Sequence, residues 1–423
     1  MDLSAVCDAM EQIVGSENFR PGDQPLRPES PPIACTVSPR SVDEIARLVS
    51  EAETLGAAIV PCGGGTHPEI DFPLRTDRPL VLLSTVDLNR VLDYQPDDMT
   101  VTVEPGVTLA ALQELLAARR QFLALDVPYP RRATMGGIVA AGASGLWRSA
   151  YGSARDHLIG MRAVTTGGTE IKGGGKVVKN VAGYDVCKLF TGSRGTLGVL
   201  SELTFRLRTR PEAETTLRWS ARDIETACRL AFGAHLAQLA PVYLIVAVDP
   251  RASRVEILAG LHGAADRLNW QEAELTRLMT KADFSDGPVE LSAEQVLDLG
   301  DRVARQRDAE STGVAATISV LPTDVEITMT RLRQVDADTL AMNADAATGV
   351  ISLSTRRADR SLLREVRSTL PPGANLRWTR MPDEIAPADT APMPAPARHL
   401  QRALKQALDP LDTFSPGVLV GPA

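Results

Sequence analysis

The sequence predicts an α+β protein assembled from more than one packed unit. Its 423 residues exceed what a single hydrophobic core usually serves. Runs of alternating apolar residues and runs with helical spacing are interspersed along the whole length. Glycines cluster at the joints between these runs as far as about residue 210 and then thin out. The chain therefore divides into a loop-rich first part and a plainer second part. Hydrophobic residues make up 44% and charged residues 23%, the balance of an ordinary globular protein.

Taken in order, an N-terminal segment (1–34) precedes a first domain expected over 35–211. Ser41-Val-Asp-Glu44 has the spacing of a capping box, in which the serine caps the helix and the glutamate reaches back. Val42, Ile45, Leu48, Val49, Ala52 and Leu55 mark one helical face, and Gly56 stands where a C′ glycine belongs. A short strand (57–60) follows and runs into V-P-C-G-G-G-T-H, residues 60–67. Strands are expected at 80–84 and 100–104, then a Pro105-Gly106 turn, then a helix capped by Thr108 through Leu109, Leu112, Leu115 and Leu116. A hairpin is expected over 161–165 and 169–172, about Gly167-Gly168. An alternating strand over 199–208 closes the domain. From 212 to 380, helical stretches (220–233, 264–280, 292–307) are interspersed with strands (242–248, 254–259, 315–321, 350–355). Five prolines over 381–396 suggest a semi-rigid connector, and a helix over 397–408 opens a final segment, 397–423.

Composition excludes several function classes. The net charge is −8 and only 4% of residues are aromatic, so neither a basic footprint nor a set of stacking platforms for nucleic acid is present. The five cysteines, Cys7, Cys35, Cys62, Cys187 and Cys228, form no CxxC pair. They suit neither a disulfide framework nor a cysteine-ligated iron–sulfur cluster. The start, M-D-L-S-A-V-C-D-A-M-E, lacks a basic segment and an apolar core, and no apolar run approaches the ~20 residues that span a bilayer. The expected location is cytoplasmic, with any membrane association made through partners.

The glycine run at 63–65 is the first sign of chemistry. Consecutive glycines let successive N–H groups converge on a small anion, because no Cβ blocks close approach. Two familiar phosphate loops do not fit. Gly175-Lys176 is followed by valine and has Glu170 where a Walker loop begins with glycine, and the 63–68 run ends in proline rather than the last glycine of GxGxxG. Alone, the run could equally be a tight turn with no ligand.

It is accompanied by three more glycine-bearing segments: Pro105-Gly106; A-T-M-G-G-I-V-A-A-G-A-S-G-L-W-R-S-A-Y-G-S-A-R-D at 133–156; and G-G-K-V-V-K-N-V-A-G-Y-D followed by G-S-R-G-T-L-G-V-L at 174–200. In this order they resemble the vanillyl-alcohol oxidase/p-cresol methylhydroxylase (PCMH) flavoprotein superfamily, over about 35–210 and again near 400–420. K-N-V-A-G-Y-D is similar to the smaller FAD-binding subunit of glycolate oxidase (glycolate dehydrogenase) complexes. The resemblance implies a two-subdomain PCMH-type FAD-binding domain, a smaller α+β cap domain and a C-terminal helix returning to the first domain.

The cofactor it implies is FAD. Its pyrophosphate would rest on Cys62, Gly63, Gly64, Gly65, Thr66 and His67, a loop without lysine or arginine. Pro105, Gly106, Thr134, Gly136, Gly137, Ala140, Ala143 and Ser144 would let main chain lie along the flavin and ribityl chain. Gly198 and Val199 would offer backbone groups, and Gly152, Arg155 and Asp156 would pass nearby, with an Arg155–Asp156 pair anchoring the loop as the plainer reading. Some relatives link FAD covalently through a histidine here, but alignment on the glycines puts that histidine at Thr66 or Gly65, so non-covalent FAD is expected. Lys176, Lys179 and Lys188 surround Asn180, Tyr184 and Asp185, either as a solvated charge run or as a hydrogen-bonded flavin-facing loop, and Arg194 departs from the residues common in the family. No catalytic residue is assigned.

The larger flavin subunit and related D-2-hydroxyacid dehydrogenases carry an H-x-G-D-G-N-x-H-like metal motif. In this chain His235, His262 and His399 lack that spacing, and no metal site is expected. The implied function is flavin-mediated oxidation of glycolate or another 2-hydroxyacid within a complex that also holds a larger FAD-linked dehydrogenase subunit and an iron–sulfur subunit. Two alternatives stay open: an electron-transfer or assembly subunit without its own substrate site, and a stand-alone alcohol or hydroxyacid oxidase.

Overall fold

The computed structural model describes residues 3–22, 32–66, 74, 76–175, 185–250, 254–280, 287–292, 294–296, 313–380 and 395–418. The chain is α+β, as expected, and divides into two compact units. One comprises Met1–Ser144, Gly152–Arg210 and Met393–Ala423; the other comprises Gly145–Tyr151 and Pro211–Pro392. The short piece Gly145–Tyr151, read from sequence as part of the first domain, groups with the second unit.

The first unit holds two main sheets. In the four-stranded sheet the order is Phe19–Pro21, Ile33–Val37, Leu80–Ser84, Ala58–Cys62, with the last three parallel. Helices Leu3–Val14 and Val42–Thr54 bury one face each into its core, through Val6, Met10 and Val14 and through Ile45, Leu48, Val49 and Ala52. Ser41 caps the second helix, its hydroxyl accepting the Glu44 N–H at 3.2 Å. The Glu44 carboxylate, however, accepts from the Arg40 N–H at 2.8 Å, one residue earlier than a capping box requires. Gly56 ends the helix at φ 66°, the left-handed conformation a C′ glycine takes.

The second sheet is five-stranded and antiparallel: Val91–Gln95, Thr100–Val103, Val199–Arg206, Leu158–Thr165, Thr169–Gly174. The expected hairpin is present, turning through Thr166–Gly168. Thr108 caps helix Leu109–Ala117, accepting the Ala111 N–H at 3.3 Å.

The carboxyl-terminal segment belongs to this unit. After helix Ala395–Leu408, Phe414 lies parallel to Ile59, with Ile59 N donating to Thr413 O at 2.8 Å and Ser415 N to Ile59 O at 2.9 Å. Phe414 is fully buried beside Ile59 and Val199, a burial worth about 2–3 kcal/mol. Buried Asp409 accepts the N–H groups of Thr413 and Phe414, each at 2.8 Å, and pairs with Lys405. Lys405 Nζ also donates to Thr196 O at 2.9 Å and Phe414 O at 2.7 Å. These bonds satisfy a buried charge from several sides, the condition for tolerating it.

The second unit is one eight-stranded antiparallel sheet, ordered Val289–Glu290, Ala213–Ala221, Arg254–Gly263, Tyr243–Asp249, Ala341–Asp345, Val350–Thr355, Val314–Ser319, Asn375–Arg380. Helices Ile224–Leu236, Ala265–Thr280, Val325–Val335 and Arg360–Thr369 contribute to its main core. The element order reads β-α-β-β-α-β twice, the halves joining where Ile245–Val248 pairs with Met342–Asp345.

The helix expected from 220 begins only at Ile224. Residues 213–221 form a strand that alternates buried Leu217 and Trp219 with more accessible Arg218 and Ser220, and Asp223 then caps the helix by accepting Thr226 N–H at 2.7 Å. The helices at Val325–Val335 and Arg360–Thr369 and the strands at Ala341–Asp345 and Asn375–Arg380 went unread in the sequence. The connector at 381–396 and the expected helix at 292–307 fall largely outside the described residues.

Candidate functional site

The glycine run leaves strand Ala58–Cys62 at its carboxyl end, beside two parallel neighbours. Thr85 holds the strand end, its N–H and its hydroxyl both donating to Cys62 O at 2.8 and 3.2 Å. Among the described residues, no acceptor takes a hydrogen bond from the N–H of Gly63, Gly64 or Gly65. Three successive backbone donors without an acceptor among the described residues are what an anion-binding loop requires. Burial pushes the Cys62 thiol above its ordinary pKa, so the thiol contributes no negative charge at neutral pH.

The other glycine segments pack against this loop and against one another. A Cβ on Gly64 would stand 1.7 Å from Arg132 O, and one on Gly63 would stand 2.1 Å from the Thr134 hydroxyl. A Cβ on Gly136 would meet the Pro105 ring at 2.6 Å, and Gly136 N donates to Pro105 O at 2.8 Å. Gly106 N donates to Leu88 O at 2.7 Å, and Thr134 accepts the Gly137 N–H at 3.3 Å. The glycines at 106 and 136 are thus small so that neighbouring chain can close on them, and the N–H groups of Gly106, Gly136 and Gly137 are already used. The loop at 63–65 keeps its N–H groups available.

The later segments join at the far end of helix Met135–Ala141. Gly192 N donates to Val139 O at 2.9 Å and Arg194 N to Ala140 O at 2.8 Å. Gly195 lies against Pro61, Ala143 is buried, and Ser144 ends this stretch of the first unit. Gly198 takes φ 147° against Val164 O, and Val199 is buried and paired with Val164 in the sheet. Three segments far apart in sequence therefore gather about the strand end and its loop.

Gly152, Arg155 and Asp156 form a separate local structure. The Asp156 carboxylate accepts Ser153 N–H at 2.7 Å and Ser153 hydroxyl at 2.9 Å, which holds its pKa below the usual carboxylate range. Asp156 is thus committed to Ser153 rather than to the Arg155 pair read from the sequence. Asp185 caps Val186–Phe190 by accepting Lys188 N–H at 3.1 Å and pairs with Lys188 Nζ at 2.8 Å, which lowers its pKa. His67, Lys176, Lys179, Asn180 and Tyr184 lie outside the described residues.

Sequence reasoning missed Arg132. The loop carries no cation of its own, but the turn at 129–132 lays this arginine over it, with Nη2 donating to Gly64 O at 3.4 Å. The late histidines do not gather. His262 is held in the second unit by Tyr151, whose hydroxyl lies 3.0 Å from Nδ1, and Glu214 lies 4.0 Å from Nε2. Among the described residues, no group of three or more His, Cys, Asp or Glu side chains is arranged to hold a metal.

A donor-rich glycine loop at a strand end, backed by three close-packed segments in a two-sheet α+β unit, fits a PCMH-type FAD-binding fold, and FAD is its cofactor. Residues 33–174 match the FAD-binding domain family. The chain is 30% identical over 323 residues to glycolate oxidase subunit GlcD of Bacillus subtilis, covering 74% of this chain and 65% of that protein. It is 40% identical over 129 residues to glycolate oxidase subunit GlcE of Escherichia coli, covering 30% and 37% of the two chains. It is 32% identical over 218 residues to the mitochondrial D-lactate dehydrogenase [cytochrome] of Arabidopsis thaliana, covering 51% and 38%. The chain thus spans less than two thirds of each of these relatives. Alkyldihydroxyacetonephosphate synthase shares the fold at a TM-score of 0.73 and 17% identity, over 98% of this chain and 85% of that one. Residues 33–174 thus carry an FAD-binding domain, and around it the chain is similar to glycolate oxidase subunits and D-lactate dehydrogenases.

The residues present suit the diphosphate of FAD, through the three N–H groups at 63–65. Because Gly65 and Thr66 carry no imidazole, the flavin is expected to be non-covalent. Acid precipitation of the purified protein should leave a yellow supernatant containing FAD. Colour retained on the pellet, or FMN in the supernatant, contradicts this.

Proposed function

We propose that this chain is the FAD-binding subunit of a glycolate (2-hydroxyacid) dehydrogenase complex. The observation that carries the reading is its similarity to two proteins that are both glycolate oxidase subunits, GlcD and GlcE. Bound FAD supplies hydride acceptance from the CH–OH carbon of the hydroxyacid and passage of electrons onward. The chain's own part is to hold the diphosphate on the 63–65 loop and to fix the surrounding main chain through the contacts of Gly136 with Pro105 and of Arg194 with Ala140.

The proposed partners are a larger FAD-linked 2-hydroxyacid dehydrogenase subunit and an iron–sulfur subunit. The domain reading is an FAD-binding domain at 35–211 and a cap domain at 212–380, with 397–423 returning to the first. The setting is cytoplasmic, and among the described residues no helix is long and apolar enough to cross a membrane. The lack of an H-x-G-D-G-N-x-H-like motif favours a second reading in which the larger subunit meets the hydroxyacid and this chain relays electrons.

An anaerobic titration with glycolate tests both. Under the proposal, the flavin of this chain bleaches within turnover time when the partners are present, and the isolated holoprotein stays oxidised. Equally fast bleaching of the isolated chain instead identifies a stand-alone enzyme. A flavin unmoved by glycolate, D-lactate and D-2-hydroxyglutarate even with partners removes the 2-hydroxyacid reading.

A further inference from the structure

We infer that Arg132 is the cationic arm of the FAD diphosphate site, supplying the charge that the glycine loop lacks. The inference rests on the 63–65 loop holding the diphosphate and adds a residue to it. A diphosphate brings about two negative charges, and three backbone N–H groups offset them only with partial charges. The protein as a whole carries a net charge of −8, so its background potential opposes an anion. A full positive charge beside the loop answers both needs.

The fold fixes Arg132 there through its backbone, whatever the side chain's freedom. Tyr129 takes a positive φ of 54°, and its carbonyl accepts the N–H groups of both Arg132 and Ala133 at 2.8 Å, which closes a tight turn. That turn lies flush on the glycines, since Arg132 O would be 1.7 Å from a Cβ on Gly64 and Thr134 Oγ1 would be 2.1 Å from one on Gly63. The guanidinium reaches back over the same loop to Gly64 O at 3.4 Å. This is one bond at the outer limit of hydrogen-bond length for a group with five N–H donors. Among the described residues, no carboxylate pairs with Arg132. Among the described residues the charge is therefore uncommitted, next to three N–H groups that have no acceptor there either. A planar guanidinium suits a phosphate edge better than a lysine ammonium does, because it donates in parallel.

The test is the release of FAD from holoprotein on dilution, followed by the fluorescence of the freed flavin at several salt concentrations. Arg132→Gln should raise the dissociation constant by about tenfold or more, the loss expected for a charge-assisted hydrogen bond. It should also flatten the salt dependence of FAD binding. Arg132→Lys should keep the salt dependence and recover part of the affinity. Three results overturn the inference: an unchanged dissociation constant in Arg132→Gln, weaker binding with the wild-type salt dependence (a role confined to pinning the Gly64 carbonyl), or a lysine variant as weak and as salt-insensitive as the glutamine one. If Arg132→Gln does not fold, the lysine variant and the wild-type salt dependence still decide. Flat salt dependence in the wild type speaks against any cation at this site. Wild-type protein that takes up no FAD at all would instead remove the underlying loop assignment.

Discussion

Replacing Gly64 by alanine should abolish stoichiometric FAD binding. The added Cβ would stand 1.7 Å from the Arg132 carbonyl oxygen, well inside van der Waals contact. Neither partner can yield cheaply. Arg132 is held in a turn by two bonds to Tyr129 O, and Gly64 follows a strand whose end is fixed by Thr85. Relief must therefore come from moving the glycine loop, which misaligns three consecutive N–H donors at once. At about 1 kcal/mol or more per lost hydrogen bond to a charged group, the affinity should fall by at least about a hundredfold.

Gly65→Ala is the informative companion. A Cβ there meets nothing within 4 Å, but the residue sits at φ +63°. Its cost should be only the ~1–2 kcal/mol of a left-handed non-glycine residue. The measurements are the flavin-to-protein ratio and the thermal unfolding temperature of each variant. A folded Gly64→Ala protein with wild-type flavin content would place the cofactor elsewhere. If Gly64→Ala fails to fold, a Gly65→Ala protein that folds, with weakened flavin retention, still tests the loop.

Co-expression with a larger flavin subunit and a cysteine-rich subunit should raise glycolate:dye reductase activity over the isolated chain by orders of magnitude. This follows from the proposed subunit role and from two features of the sequence. The five cysteines have no cluster-forming spacing, and the three late histidines do not form the motif used by the hydroxyacid dehydrogenases. The structure adds that His262 is already engaged between Tyr151 and Glu214. A flavin that receives two electrons needs an acceptor, and an iron–sulfur partner able to take them singly meets that need. If the purified chain reduces dye with glycolate as fast as the co-expressed set, the subunit reading fails and the stand-alone oxidase takes its place.

Much of the first unit was legible because its signals are local. Ser41 and Thr108 announce helix starts, Gly56 announces a stop, and the apolar run at 80–84 and the alternating run at 100–103 coincide with strands. The second unit was harder. Arg360–Thr369 and Val325–Val335 bury only a few apolar residues each among charged ones, and the short strands at 341–345 and 375–380 gain definition from their neighbours across the sheet. Strand identity of that kind depends on pairing partners more than on intrinsic preference.

By itself, the sequence determined the α+β class, the order of four glycine-bearing segments, the flavoprotein family and the nature of the cofactor. The first two rest on residue types at short spacings, which local backbone physics can read; the family and the cofactor rest on the resemblance of those segments to known flavoproteins. Only the tertiary structure decided what each glycine is for. Gly136 makes room for Pro105 and Gly64 makes room for the Arg132 carbonyl, whereas the N–H groups at 63–65 have no acceptor among the described residues. Only the fold, too, set Arg132 over a loop read as having no cation and placed Phe414 beside Ile59. Those contacts join residues far apart along the chain. Which backbones close on one another follows from how whole elements pack, and no local periodicity encodes that direction.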